Sequence, residues 1–332
     1  MAETSGAHHV EYPAVEWEEQ QAAAEEGAEG GGDGGSVYRD TNAVPRTPAG
    51  TTLHMDLKEG DVAPRVLTVG DPVRAARIAE ALDSVRLRKV SSRGFFTCTG
   101  SCEGVEVSII AIGMGLPMAD FFVRETRQIL LDGPALMVRY GTCGVLQPHV
   151  PTGGVVVATE GSVLVQRNPD AFLPPPSSGN GGQHQQQQPS TRQPEPYLIF
   201  RPQPADAKLS EALVSELTAE IGAERVTRGL NASACSFYSS QGRIDVCFED
   251  DNVEILHRLR RKHPSVVSME METFQLFALA NSSRGGIRAA AASIGVANRP
   301  TGDVCSEATL DDLEFRGGRA VLRALVRTPL QL

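Results

Sequence analysis

Apolar residues follow two patterns along this chain, and the two alternate. Short apolar runs at Arg65–Val69, 134–139, 153–159 and 287–297 read as buried strands, with a further strand expected near 225–230. The pair 93–99 and 105–112 alternates apolar with polar positions across a turn at 100–104, which predicts an antiparallel hairpin. Elsewhere apolar residues recur at helical spacing. Phe121, Phe122 and Ile129 mark a helix over 118–131, and Leu209, Leu213, Leu217 and Ile221 form one stripe over 205–221, with Gly222 as its C-cap. Further helices are predicted over 250–261, over 269–281 around Phe274, Phe277 and Ala278, and over 310–326. This alternation predicts an α/β fold, a three-layer α/β/α sandwich whose central mixed sheet is mostly parallel with a hairpin element.

Two stretches carry neither pattern. Residues 1–50 are rich in Glu, Gly and Ala and lack the large aliphatic residues that would offset the entropy of ordering, so they read as a disordered acidic tail. Residues 173–196 are Pro-, Gln- and Gly-rich and read as a solvated low-complexity insertion. The remainder, within 51–332, is expected to be a single domain. The formal net charge is −10, but residues 1–40 hold ten acids against Arg39 alone, so the body of the chain is close to neutral. Such a body lacks the basic face that nucleic-acid binding needs. No apolar run approaches a membrane span, and no basic region followed by an apolar stretch opens the chain. Together with six scattered cysteines, this predicts a cytoplasmic protein with reduced thiols. Cys98 and Cys102 do not have zinc-site spacing, and no metal site is expected.

Candidate chemistry gathers at strand ends. Arg139 leaves an apolar run just before Gly141-Thr142-Cys143-Gly144, where two glycines would let the chain turn sharply and bring N–H groups to a ligand. A guanidinium, a hydroxyl and N–H groups together make an anion socket, while a strand-end Arg paired with a surface carboxylate reads equally well. Gly70-Asp-Pro-Val-Arg74 is a strand, Gly turn and helix start, with Pro72 early in the helix, the layout that aims helix N–H groups at an anion. It lacks the spacing of a dinucleotide fingerprint or a P-loop. On local grounds Arg74 reads as a solvated helix residue, and Glu270 and Glu272 as helix-start acids.

Taken in order, Gly70–Arg74, Arg139–Gly144, Phe237-x3-Gln241-x-Arg243, Met269-Glu-Met-Glu272 and Asn298-Arg299 resemble the uridine phosphorylases. These belong to the trimeric/hexameric nucleoside phosphorylase superfamily, and the likeness looks nearest to its protozoan branch. It runs from about Thr51 to the C-terminus, interrupted by 173–196. The resemblance implies a phosphorylase/hydrolase-like fold and reversible phosphorolysis of uridine to uracil and ribose 1-phosphate, with deoxyuridine or thymidine as secondary substrates. It implies a phosphate pocket of Gly70, Arg74, Arg139 and Thr142, closed by Arg93 from a neighbouring subunit. A ribose pocket would hold Glu270, Met271 and Glu272, with His54 from the adjacent protomer at the sugar's 5′ end. The base would meet Phe237, Gln241, Arg243, Val296 and Arg299, with Gln241, Arg243 and Glu272 carrying the catalytic work.

The implied reaction needs positioning and charge stabilisation, with phosphate as co-substrate, no cofactor and no covalent nucleophile, so that Cys143 is replaceable. Borrowed residues imply a homo-oligomer of at least two subunits. Purine-specific relatives place an Asp where this chain has Asn298, and bacterial members use a Glu where it has Gly94 for an intersubunit cation, which is therefore not expected. The competing readings are a purine nucleoside phosphorylase or nucleosidase of the same fold, or a non-catalytic ligand-binding or scaffold protein.

Overall fold

β-branched and apolar runs extend into strands because their side chains pack well on a pleated surface. In the computed structural model, which describes residues 42, 44–131, 133–174, 194–284 and 286–331, twelve strands join one sheet. The first half of the chain gives β1 (Arg65–Val69), α1 (Pro72–Ala79), β2 (Ser84–Val90), β3 (Phe96–Cys102), β4 (Val105–Ala111), α2 (Leu116–Leu130) and β5 (Ala135–Val145). Then come β6 (Val155–Val157), β7 (Ser162–Arg167), β8 (Tyr197–Ile199), α3 (Ala207–Ile221), β9 (Val226–Arg228) and β10 (Leu230–Ala234). The chain closes with α4 (Ile255–Lys262), β11 (Val266–Glu270), α5 (Thr273–Ser282), β12 (Ile287–Asn298) and α6 (Glu307–Arg327). Residues Gly50–Leu332 make one compact unit. Residues 1–41 of the expected tail and 175–193 of the expected insertion lie outside the described residues. Among the described residues no helix is long and apolar enough to cross a membrane.

The sheet is mixed. β5 runs parallel to β1 and β12, β10 runs parallel to β7 and β11, and β2, β3 and β4 form an antiparallel meander. Side chains of β5 alternate between two cores, as a period of two requires. Leu136, Val138 and Tyr140 join Ile78 of α1, Leu213 of α3 and Leu325 of α6. Ala135 and Met137 face Phe122 of α2 and Phe277 of α5. Helices therefore cover both faces, and Arg139, in step with Ala135 and Met137, points to the α2–α5 side.

Several sequence expectations change. β5 does not turn at Gly141 and Gly144 but continues straight to Val145, held throughout by β12. The hairpin turn is narrower than 100–104, because Gly100 and Cys102 still pair with Val107 and Val105. The stretch from 269 is not helical from the start. β11 runs to Glu270 between β10 and the end of β5, and the helix begins at Thr273. The helix expected over 250–261 begins only at Ile255. β2, an edge strand carrying Arg86, Arg88 and Lys89, β7, which buries Ser162, and β10 beyond Leu230, which buries Asn231 and Ser233, lie outside the predicted strands.

The gap between strands positions the site. β1 pairs with β5 only as far as Arg139, and β11 pairs with β5 only at Gly144 and Val145. One edge of β5 between these points carries no strand, so a crevice opens at the C-terminal end of β1, the usual place for a ligand in an open α/β sheet. Behind it, α6 approaches closely because Gly317 and Gly318 have no side chains. Tyr140 Oη donates to the Leu313 carbonyl at 2.7 Å, and a Cβ on Gly317 would stand 1.8 Å from that oxygen. A Gly317→Ala variant should therefore lose roughly 2–3 kcal/mol of stability by overpacking. Thermal melting should show the loss, and adding Tyr140→Phe should recover part of it.

Candidate active site

The crevice is a cavity of about 460 Å³. One wall is cationic. It brings together Gly70, Arg74, Arg139 and Thr142, four residues from two separate stretches of the chain. A Cβ on Gly70 would crowd the carbonyl of its backbone neighbour Gly113 at 3.2 Å, so the position favours glycine. Arg74 is not the solvated helix residue its local sequence suggests. It is 7% exposed, and its Nε donates to Glu314 at 2.8 Å, which leaves the rest of its fork at the cavity.

Arg139 is 4% exposed and is held by two carboxylates. Its Nε donates to Glu270 Oε2 at 3.3 Å, its Nη2 donates to Glu272 Oε2, and its Nη1 has no hydrogen-bond partner among the described residues. A buried guanidinium nitrogen without an acceptor is costly, so the wall is built to meet an anion. The Gly141 position must stay small for this, because a Cβ there would press on the guanidinium at 3.1 Å.

The two acids differ in state. Burial alone would push the Glu270 carboxyl up, but the Arg139 charge, then Ser233, Asn231 and the Glu272 N–H, hold it below the usual carboxylate range. Burial pushes the Glu272 carboxyl above that range, opposed by Arg139 and reinforced by the Glu270 charge. Neither is a solvated helix-start acid: Glu270 is buried at the end of β11, and Glu272 is buried at the N-cap position of α5. Glu270 caps α5 by accepting from the Glu272 and Thr273 N–H groups at 2.9 and 3.0 Å. Glu272 Oε1 accepts from the Gly115 N–H at 2.5 Å, tying the acid to the start of α2.

Glu270 lines the cavity too, with its oxygens engaged by Ser233, Asn231, Arg139 and two backbone N–H groups. Glu272 and Met271 line the cavity beside it.

The opposite wall is a tight loop after β10. Gln241 is buried in a short 3-10 turn, followed by Gly242 in the left-handed region at φ 64°. Arg243 Nη1 donates to Gln241 Oε1 at 2.7 Å and to the Phe237 carbonyl at 2.5 Å, and its guanidinium lies 3.7 Å from the Phe237 ring centroid. Arg299 Nη1 donates to the Gln241 carbonyl at 3.0 Å, clamping the loop, while Val296 and Ala297 fill the cavity edge. Burial lowers the pKa of Arg243, with the nearby Arg299 charge adding to it, and burial does the same to Arg299. Both cations would welcome electron-rich ligand atoms.

Arg93 and His54, both expected to reach a neighbouring subunit's site, are not in this chain's own cavity, and neither is Asn298. Arg93 lies exposed between β2 and β3. His54 is pinned elsewhere, with Nδ1 2.5 Å from Glu125 Oε1 and its ring stacked 3.9 Å from Phe121. Asn298 is committed to a turn, donating to the Gln147 and Val150 carbonyls and accepting from the Thr301 N–H. Conversely, the structure adds Asn231 and Ser233 behind Glu270, residues whose alternation with Ala232 and Ala234 is the sequence signal that marks them. Burial pushes the Cys143 thiol up, leaving it a packed neutral group rather than a nucleophile. No cluster of three His, Cys, Asp or Glu able to hold a metal occurs among the described residues. A wider hollow of about 610 Å³ beside Arg167 and Phe172 is lined by the flanks of 175–193 and shares none of these groups.

The contrast between the acids has a thermodynamic consequence. Glu270, lowered on folding, contributes stability above its unfolded pKa that is lost as pH falls through the folded value. Glu272, raised on folding, does the reverse, so its charge costs stability at neutral pH. Glu270→Gln should therefore lower stability at pH 7 by about 3 kcal/mol, as for a broken buried pair, and the melting temperature with it. Glu272→Gln should leave it unchanged or higher. Melting curves of the two variants across pH check this.

Residues 64–326 match the family described as the phosphorylase superfamily. A solved structure of a uridine phosphorylase from the oomycete Phytophthora capsici superposes with a TM-score of 0.79 at 42% identity, covering 88% of this chain and 99% of that one. The Trypanosoma brucei nucleoside phosphorylase, described as showing uridine phosphorylase activity, shares the fold with a TM-score of 0.68 at 22% identity, covering 86% and 100%. Among curated proteins, the uridine phosphorylase of Thermococcus kodakarensis is 29% identical over 261 residues, 78% of this chain and 82% of the relative. A DeoD-type purine nucleoside phosphorylase of Caldanaerobacter subterraneus is 40% identical, but over 113 residues, 33% of this chain and 47% of the relative. With the crevice at the end of β1 and the family match across nearly the whole sheet, the chain belongs to the phosphorylase superfamily.

Proposed function

We propose that this protein catalyses the reversible phosphorolysis of uridine to uracil and ribose 1-phosphate, a pentosyl transfer in pyrimidine nucleoside metabolism. The observation that carries this reading is the pairing of two unlike walls in one cavity. Arg139 offers a buried, unpartnered Nη1 on one side, and Gln241 with Arg243 offers an amide and a guanidinium on the other.

Gly70, Arg74, Arg139 and Thr142 receive phosphate, and Glu272 and Met271 receive the ribose. Gln241 matches the uracil N3–H and a carbonyl, Arg243 donates to the remaining carbonyl, and Phe237 stacks on the ring. A phosphate oxygen attacks the anomeric carbon as the glycosidic bond breaks, and the bonding pair leaves with the base. Arg243 stabilises the negative charge on uracil, and Glu272 favours the positive charge growing on the sugar. Uracil then takes a proton from solvent. Phosphate is the co-substrate, and the balance needs no other cofactor.

A hydrolytic nucleosidase would not need the cationic wall. A purine phosphorylase is disfavoured because Asn298 keeps its amide in a turn and offers nothing to a purine ring. Arg93 and His54 lie outside this chain's own cavity, which supports their donation to a neighbouring subunit's site and hence a homo-oligomer of at least two chains. Six free cysteines fit a cytoplasmic enzyme.

Free base released from uridine, and from inosine, with and without phosphate tests the reading. Uracil release that requires phosphate is expected. Hypoxanthine as the main product, or release without phosphate, would overturn it. Arg243→Ala should lower kcat/KM for uridine by about 10²–10³-fold. If sites are shared, unfolding Arg93→Ala and Arg243→Ala chains together and refolding them should restore roughly a quarter of wild-type activity in a dimer, although each variant alone is impaired.

A further inference from the structure

Behind the acid that holds Arg139 lies a patch of buried side chains that the reaction does not explain. Asn231 and Ser233 on β10, Ser162 on β7 and Ser268 on β11 are each at most 2% exposed, all polar where strands this deep would ordinarily carry Val or Ile. The registers align them. Asn231 sits opposite both Ser162 and Ser268, and Ser233 sits opposite Glu270. The intervening Ala232 and Ala234 face the apolar core on the other side of the sheet.

The group is hydrogen-bonded as a unit. Asn231 Nδ2 donates to Glu270 Oε1 at 2.8 Å and lies 2.9 Å from Ser162 Oγ, and Asn231 Oδ1 accepts from Ser268 Oγ at 2.8 Å. Ser233 Oγ donates to Glu270 Oε1 and accepts from the Phe274 N–H at 2.8 Å. An apolar replacement of such a network would often be as stable or more so, so stability alone does not account for it. What the network reaches is one carboxylate oxygen. The other oxygen of that carboxylate holds Arg139 Nε and the first N–H groups of α5.

Building on the phosphorolytic reading above, we infer that Asn231 and Ser233 are positioning residues for the reaction. By anchoring Glu270 Oε1 they orient the carboxylate whose second oxygen aims Arg139 at the phosphate. Neither residue lines the cavity, and both act through Glu270. The titratable and charged groups facing Glu270 are Arg139 and Cys143 from β5 and Glu272 from its own turn, whereas β7 and β10 present only uncharged donors. Losing a β10 donor leaves Glu270 with less to hold its charge, so it takes up a proton at higher pH, and Arg139 loses its anchor at higher pH with it.

The test is phosphate binding by calorimetry to the full-length protein across pH, with steady-state phosphorolysis alongside. Wild type and variants meet the same titration of phosphate itself, so differences between them belong to the protein. Ser233→Ala is expected to weaken phosphate binding about 10-fold at pH 7, the worth of a hydrogen bond to a charged group. Its acid limb for phosphate binding should move to higher pH, while KM for uridine stays within about twofold. Ser233→Thr, which keeps the hydroxyl, should restore the limb, and Asn231→Ala should move it in the same direction as Ser233→Ala.

A folded Ser233→Ala variant with wild-type phosphate affinity and an unmoved acid limb would overturn the inference, even if its melting temperature fell. That pattern would mean the network only braces α5. Wild-type protein that fails to bind phosphate would overturn it too. Uracil release from uridine is read in separate reactions and decides the functional reading independently.

Discussion

Everything in the cavity depends on one buried guanidinium held between two carboxylates. Arg139 is paired by Nε and Nη2 and left open at Nη1, in surroundings where an unmatched charge would be expelled or neutralised. The two acids that hold it are not equivalent. Glu270 is saturated with donors and stays ionised, whereas Glu272 is strained toward its neutral form by burial. The arrangement is pre-organised for an anion, because the cation is oriented before ligand arrives and little needs to reorganise when it does.

The sheet makes room for this group by stopping one strand early. β5 runs through the centre and keeps β12 along its full length, while β1 leaves it at Arg139 and β11 joins it at Gly144. The vacated edge is only a few residues wide, yet it gathers the turn after β1, the loop before α2, the β11–α5 junction and the end of β12 around one point. The glycines in β5 serve this gap differently from what their spacing suggests. They do not bend the chain. Gly141 leaves space for the Arg139 side chain, whereas a Cβ on Gly144 would only reach ordinary contact with the Arg299 stem at 3.6 Å.

The base-facing wall is organised around a loop rather than a strand. Arg299, reaching from the end of β12, holds the carbonyls of Gln241 and Gly242, and Arg243 turns back onto Gln241 and the Phe237 ring. Arg243 thus fixes the glutamine side-chain amide and Arg299 the backbone that carries it, at the wall proposed to face the base. Such locking matters because an amide free to rotate would present donor and acceptor to either edge of a base with equal ease.

Local pattern was enough for β1, β4, β12, α3 and α6, where a two-residue or helical period persists and nothing competes with it. It was also enough for the order of the site motifs, because strand ends and glycine-flanked polar residues stand out in an apolar sequence. It failed where tertiary neighbours override the local period. Val266–Glu270 becomes a strand because β10 and the end of β5 offer it partners on both sides, so Glu270 ends a strand and its side chain caps the helix that begins after Glu272. Arg74 reads as a solvated residue until α6 brings Glu314 against it. The sequence by itself determined which chemical groups this protein possesses and which stretches could bury them. Only the tertiary structure decided which of those groups meet, because ion pairs such as Arg139 with Glu270 and Glu272 join residues 131 and 133 positions apart. Their energies depend on burial and geometry that no local pattern encodes.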